Sequence, residues 1–348
     1  MEYTLFKEKI INPHKERENK PIITFLEKNG LNWEKDIEYT VALLEQSQIV
    51  GTGSIAGNVL KCIAVDPKHQ GTGVSNKIVS HLLHEAYRQG KTHLFIYTKP
   101  NNTNMIQDFS FYEVARVGSQ VVLLENVSNG LEKYTDKLAK EKMKGDHIAA
   151  IVMNCNPFTL GHQFLIEKAA SENDYLHVFI VWEDRSTFSP EVRFELVKEG
   201  TKNIPNVKIH QGKDYIISNA TFPSYFLKEK SGIIEIHAKL DLEIFSNHIA
   251  PALEINKRYI GEEPYCPVTS RYNQVMKEVL PLKGIEVIEV PRKMVESRAI
   301  SASSVRDAIR KDRWDLLEKL LPETTLSFLK SKEADKIIKS IKENVSRH

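Results

Sequence analysis

Residues His147–His162 read HIAAIVMNCNPFTLGH, and the order of residue types along that stretch sets the fold of the C-terminal half of the chain. After His147 the chain is apolar to Met153, a run suited to a strand buried on both faces, as parallel sheets require. A polar loop then turns the chain, and Leu160–Ala170 carries apolar residues at helical spacing. Thr159 is a candidate N-cap, so the free backbone N–H groups of the first helical turn face the loop. Gly161 removes a side chain where an anion would approach that backbone most closely. His162 falls in the first turn, where its ring can donate to an anion held at the positive helix end. Pro157 stiffens the loop but cannot donate to it.

Downstream the pattern alternates. Leu176–Trp182 reads as a strand, Pro190–Glu199 as a helix, and Val207–His210, Ile233–His237 and Ile285–Val290 as further strands. Strands separated by helices predict an α/β unit with a doubly wound parallel sheet, whose ligands sit beyond the strand carboxyl ends. The C-terminal stretch is mostly helical and is interrupted at Pro322. A second anion-handling segment is Ile300–Arg306, ISASSVR, where Ser301, Ser303 and Ser304 precede a helix with Val305, Ala308 and Ile309 on one face. Arg306 in a first turn opposes the helix dipole, a local cost that a bound anion removes. Serine hydroxyls, helix N–H groups and the guanidinium can then converge on it. The alternative is a surface Arg306 paired with Asp307 or Asp312. Two such helix N-termini on one parallel sheet suit a nucleoside triphosphate.

The rest of the chain bounds these readings. Its 348 residues suggest two domains at about 150 residues each. Forty-eight Lys and Arg against 46 Asp and Glu leave a net charge of +2, too little to imply a nucleic-acid partner. Three cysteines without a CxxC pair argue against a disulfide framework or a zinc site, so no metal ligand is assigned. No apolar run approaches the roughly 18 residues of a membrane span, and the charged N-terminus is no signal peptide. A cytoplasmic protein without a membrane partner is expected. Cys155 reads as a buried small hydrophobe, and Trp182 and Trp314 read as core.

Glu125–Asp146 is the most polar stretch between two patterned regions. The expected organisation is a first domain over 1–130, a linker helix over 131–146, and a second domain over 147–348. The lysine-rich 133–144 segment reads as a solvated face, or as a docking surface for an acidic carrier protein. In the first domain, Tyr39–Glu45 and Gln48–Ile55 form a hairpin pattern, followed by strand Val59–Val65 and helix Asn76–Arg88. His93–Thr98 and Gln120–Glu125 are short strand candidates.

Thr159-Leu160-Gly161-His162 is similar to the (H/T)xGH motif of the HxGH nucleotidyltransferase superfamily, and ISASSVR is similar to that superfamily's second signature. Longer stretches, NPFTLGHQFLIEKA, LDLEIFSNHIAPAL, GEEPYCPVTSRYN and GIEVIEVPRK, resemble the citrate lyase ligase family. That resemblance implies a Rossmann-like C-terminal domain of the HxGH nucleotidyltransferase type, fused to a GNAT-like α+β N-terminal domain. It implies that ATP, with Mg²⁺, adenylates acetate, and that the acetyl group passes to the prosthetic-group thiol of the citrate lyase acyl carrier subunit. His162, Thr159 and Arg306 are then the catalytic residues. Asn154, Asn156, Pro157, Phe158, Gly161, Ser301 and Ser303 line the ATP site.

Gln70-Gly71-Thr72-Gly73-Val74-Ser75 resembles the GNAT loop Q/R-x-x-G-x-G/A, whose N–H groups hold a coenzyme A or pantetheine-type pyrophosphate. Ser75 replaces the final small residue there, Ser110 in FSFY replaces a glycine, and Ile106 stands where many members carry a tyrosine acid. Loop chemistry is kept better than transfer chemistry. Two other functions compete: adenylation of a phosphorylated acceptor such as phosphopantetheine or nicotinamide mononucleotide, and a non-catalytic nucleotide or coenzyme A sensor. Pyrophosphate release from ATP and acetate separates all three.

Overall fold

The structure is a computed structural model that describes residues 6–222, 232–295 and 298–343. The chain divides into two compact units, Met1–Gly130 and Leu131–His348.

The first unit is built on a seven-stranded mixed sheet, in the order β1-β2-β3-β4-β5-β7-β6. Its strands are β1 (Lys7–Ile11), β2 (Tyr39–Glu45), β3 (Gln48–Ala56), β4 (Val59–Val65), β5 (Phe95–Thr98), β6 (Tyr112–Val117) and β7 (Val121–Glu125). Helices α1 (Glu16–Lys28) and α2 (Val74–Arg88) cover opposite faces, and α3 (Thr103–Gln107) is a single short turn. Alternation along β2 explains the two cores: Val41 and Leu43 pack with α2, while Ala42 and Leu44 pack with α1. Parallel strands β4 and β5 pair only at Val59–Phe95 and Leu60–Ile96 and then part.

The second unit opens with α4 (Gly130–Ala139). It lies on the 131–146 stretch read as a linker, and its inner face is not solvated: Leu131 and Leu138 are buried, and Tyr134 donates to the Gln211 carbonyl at 2.9 Å. The sheet runs β10-β9-β8-β11-β12, every neighbour parallel, from β8 (Ile148–Met153), β9 (Tyr175–Ile180), β10 (Val207–Gln211), β11 (Lys257–Gly261) and β12 (Glu286–Val290). Order reverses at β8, because the chain winds outward through β9 and β10 and then returns to place β11 on the other side. A crevice opens at such a reversal, and the loop after β8 lies on it.

Helices α5 (Leu160–Ser171) and α6 (Pro190–Thr201) follow β8 and β9. The expected strand Ile233–His237 is instead the start of a twelve-residue helix, α7 (Ile233–Ile244). Its β-branched opening mimics a strand, but Ile234, Ala238, Asp241 and Leu242 are buried at helical spacing. A π-helical turn links α7 to α8 (Ala250–Leu253), and α9 (Pro267–Val279) precedes β12. Strand β11 has no counterpart in the sequence reading. It begins with two cations, and Arg258 is buried with its guanidinium 4.3 Å over the Phe245 ring. The chain ends in α10 (Ala302–Arg310), α11 (Trp314–Leu320), α12 (Glu323–Leu329) and α13 (Asp335–Glu343), with Pro322 at the α12 N-cap. Leu317, Leu326 and Ile341 from this tail share a core with Ile300, Val305 and Ile309. Among the described residues no helix is long and apolar enough to cross a membrane.

Candidate active site

The loop between β8 and α5 is held from below by one side chain. Arg193 of α6 is fully buried. Its Nη1 donates to the Asn154 carbonyl (2.8 Å), the Asn154 Oδ1 (2.7 Å) and the Val181 carbonyl (2.7 Å). Nε and Nη2 reach the carbonyls of Phe188 and Glu183 at 3.0 and 2.7 Å. Asn156 accepts the Phe188 N–H on Oδ1 at 3.0 Å. Both asparagines are thus committed to shaping the loop. Cys155 between them sits at φ 51° and is buried, which drives its thiol pKa far up and removes it as a nucleophile.

Thr159 caps α5 as expected, with a further consequence. The His162 N–H donates to Thr159 Oγ1 at 3.3 Å, while the Thr159 N–H donates to His162 Nδ1 at 3.1 Å. A ring nitrogen that accepts a backbone N–H carries no proton, so the neutral imidazole bears it on Nε2. Burial and the Arg292 charge push the His162 pKa down to about 4, so near pH 7 the ring is a neutral Nε2–H donor. The Thr159 side chain is buried, 1% exposed, and its oxygen takes part in the cap. Phe158 and Pro157 are also buried, and Phe158 lies in the core, stacked 6.1 Å from the His162 ring. Thr159, through its hydrogen bonds, and Phe158, through its ring, both contact His162.

The second motif opens α10. Ser301 is its N-cap and accepts the Ser304 N–H at 3.0 Å, and the Ser304 hydroxyl donates to the Ser301 carbonyl at 2.7 Å. Arg306 is buried, not at the surface: Nη1 donates to the Asn156 carbonyl and Nη2 to the Ser303 hydroxyl at 3.3 Å. Burial and Arg310 lower its pKa to about 10, which leaves it cationic at neutral pH. Asp307 pairs instead with Lys311 at 2.8 Å, and Asp312 with Lys342 at 2.6 Å. Gly161 faces Ile300, whose carbonyl would lie 3.4 Å from an added Cβ. An added Cβ would thus rest in ordinary contact with the second motif. Ser303 stays exposed.

Two charged residues near this site escaped the sequence reading. Arg292, just past β12, donates Nε to the Glu262 carbonyl at 2.7 Å, Nη1 to the Ile300 carbonyl at 3.4 Å, and pairs with Glu263 at 2.5 Å. It lies within GIEVIEVPRK, but nothing local marks its role. Glu183, in the loop after β9, accepts the Asn219 N–H at 2.7 Å, and burial raises its pKa to about 7. Among the described residues, no group of three or more His, Cys, Asp or Glu is arranged to hold a metal ion.

Acid should destabilise this unit. Besides His162, the buried pair His177 and His210 share a hydrogen bond of 2.8 Å, and burial lowers both pKa values. The unfolded chain protonates these rings near pH 6.5, whereas the folded state resists until well below pH 5. Unfolding therefore takes up protons in that window, and stability falls as pH drops through it by about 1.4 kcal/mol per pH unit for each ring. Melting temperature followed from pH 7.5 to 4.5 should be flat at first and then fall steeply below about 6.5. A flat profile throughout contradicts the neutral histidines.

In the first unit, the loop Gln70–Ser75 joins a 3₁₀ turn, Pro67–His69, to α2. Gly71 and Gly73 have φ of 77° and 85°, which side chains rarely adopt, and both are exposed. The Thr72 hydroxyl donates to the His69 carbonyl, Val74 enters the core, and Ser75 is half-buried. Gly73 borders a cleft of about 440 Å³ that also takes in Lys77 and His81. Ser110 has φ 61°, the left-handed backbone that explains a glycine preference there, and Ile106 is buried in the core.

Two family profiles match: the acetyltransferase (GNAT) family over residues 5–111, and the citrate lyase ligase C-terminal domain over residues 148–329. Three curated relatives carry the name citrate pro-3S-lyase ligase. The protein from Klebsiella pneumoniae is 45% identical over 309 residues, 88% of this chain and 90% of its own length. That from Haemophilus influenzae is 43% identical over 314 residues, 88% of this chain and 94% of its own. The Escherichia coli protein is 38% identical over 335 residues, 94% and 95% of the two chains. With both units matched and identity sustained along nearly the whole length, the chain belongs to the citrate lyase ligase family and is a ligase enzyme directed at citrate lyase.

Proposed function

We propose that the second unit activates acetate with ATP and that the activated acetyl group is passed to the prosthetic-group thiol of the citrate lyase acyl carrier subunit. The observation that carries this reading is the docking of the two motifs: Arg306 bonds the carbonyl of Asn156, 150 positions away in the loop that leads into the Thr159–His162 cap. Acetate attacks the α-phosphate in line, pyrophosphate leaves, and acetyl-adenylate remains. The Nε2–H of His162 and the first N–H groups of α5 meet the charge that builds on the phosphate oxygens. Ser303 presents its hydroxyl to the β- and γ-phosphates, backed by the Arg306 guanidinium. Mg²⁺ enters with the triphosphate as part of the substrate and neutralises its charge.

The carrier thiol then attacks the acetyl carbonyl and AMP departs. For the first unit, residues 1–130, the reading is delivery of the thiol arm, with Gln70–Ser75 holding its phosphate. Open left-handed glycines and the parting of β4 from β5 support that role. Residues 147–348 carry adenylation, and the site operates in the cytoplasm, where citrate lyase and ATP meet.

Mixing the enzyme with ATP and acetate tests the reading: pyrophosphate should appear only when acetate is present. Pyrophosphate formed only with a phosphorylated acceptor would make it a nucleotidyltransferase, and none at all would make it a sensor. Arg306→Ala should raise the KM for ATP about tenfold or more with a smaller effect on acetate, since a charge-assisted contact contributes about 1.5–3 kcal/mol. Arg306→Lys should rescue only in part, because an ammonium cannot span Asn156 and Ser303 as a fork does.

A further inference from the structure

We propose that Glu183 is the base that takes the proton from the carrier thiol, a role that rests on the acetyl-adenylate reading of the second unit. Strands β8 and β9 are paired up to Met153 and Ile180, so their carboxyl ends stand side by side. Glu183 is three residues past that pair on one strand, and Asn154 is the first residue past it on the other. Arg193 clasps both, with Nη1 on the Asn154 carbonyl and Nη2 on the Glu183 carbonyl. Glu183 therefore shares the rim of the crevice with the loop that holds His162.

Its carboxylate is half committed. Oε1 accepts the Asn219 N–H at 2.7 Å, which fixes the side chain, while Oε2 has no hydrogen-bond partner among the described residues. The charged groups facing it are Arg185 from its own loop, Arg193 from α6 and Asp214 from the turn after β10. Burial outweighs the two arginines and brings the carboxyl to about pH 7, where a general base works best. The other candidates are already engaged. His162 uses Nδ1 for the Thr159 N–H and carries its proton on Nε2, so it has no lone pair to offer. Cys155 is buried and His177 and His210 bond each other.

The step balances within the site. Oε2 takes the S–H proton as the sulfur lone pair forms the C–S bond to the acetyl carbonyl carbon. The tetrahedral centre then collapses, the carbonyl carbon–oxygen bond to the phosphate breaks, and AMP leaves as an anion. Glu183 returns its proton to water. At pH 7 a free thiol with a pKa near 8.5 is only a few per cent thiolate, so a positioned base has a large rate effect available.

The full-length enzyme is assayed two ways: acetate-dependent exchange of pyrophosphate into ATP, which reads adenylation, and acetylation of the thiol-bearing acyl carrier subunit of citrate lyase. Glu183→Gln should keep exchange within about twofold and slow carrier acetylation about a hundredfold at pH 7. Its transfer rate should then climb about tenfold per pH unit toward the thiol pKa, without the inflection near pH 7 of the parent enzyme. Glu183→Asp, which keeps a carboxyl, should recover part of the rate and retain the inflection. Equal loss of exchange and transfer, or a Gln variant that transfers normally or keeps the inflection, overturns the role of Glu183 while leaving adenylation standing. Absence of acetate-dependent exchange in the parent enzyme overturns both readings together.

Discussion

Replacing His162 by asparagine should leave the melting temperature within a few degrees and lower acetate-dependent pyrophosphate release by about 10²–10³-fold, the usual cost of one preorganised donor. The two effects separate because the ring does two jobs at its two nitrogens. Asparagine Oδ1 stands where Nδ1 stands, so it still accepts the Thr159 N–H and keeps the cap on α5. It has nothing at the Nε2 position, so the donor proposed to meet the phosphate is lost. His162→Ala should fail on both counts, losing activity to the same degree and stability by about 1 kcal/mol as the cap opens. Calorimetry beside a pyrophosphate assay decides it. Normal release from a folded asparagine variant would remove His162 from the chemistry.

Arg193→Met should destabilise the second unit more than any change at the motif residues. Methionine fills much of the volume but leaves the carbonyls of Asn154, Val181, Phe188 and Glu183 buried without donors. Each orphaned acceptor costs about 1–3 kcal/mol, and partial relaxation brings the sum to about 3–5 kcal/mol. For a unit of this size that lowers the melting temperature by roughly 10 °C. Lysine should rescue little, since one ammonium cannot reach carbonyls from two strand ends and a loop. A variant that melts like the parent would show that water satisfies these carbonyls.

Arg193 also shows where sequence reasoning stops. An arginine in the middle of PEVRFELV reads as the solvated position of an amphipathic helix, and only the fold shows that it points inward. Arg258 hid strand β11 in the same way, because a cation at a strand's second position breaks the apolar run by which buried strands are recognised. Strand β1 and helix α1 lie in the charged N-terminal stretch, where Lys, Glu and an internal Pro21 mask the pattern. Elements with clean periodicity were legible: β2 to β4, α2, β8, α5, β9, α6 and the C-terminal helices all lie where the spacing predicts.

For the site, the sequence located both motifs and the cap that opens α5, because capping chemistry is local. It could not tell which polar groups face a ligand. Thr159, Asn154 and Asn156 are donors and acceptors on paper, and only the fold shows that each spends at least its oxygen on a neighbour. Glu183 was invisible for the converse reason: a carboxylate acquires its unusual acidity from burial, which no local pattern encodes.

The bond from Arg306 to the Asn156 carbonyl has a consequence for how the protein is made. During synthesis the first motif leaves the ribosome 150 positions ahead of the arginine that completes it. Closing so long a loop is slow and comes late among folding events. A nascent chain therefore displays the TLGH segment before the second motif exists to close onto it. The proposed site is thus complete only once α10 has been made.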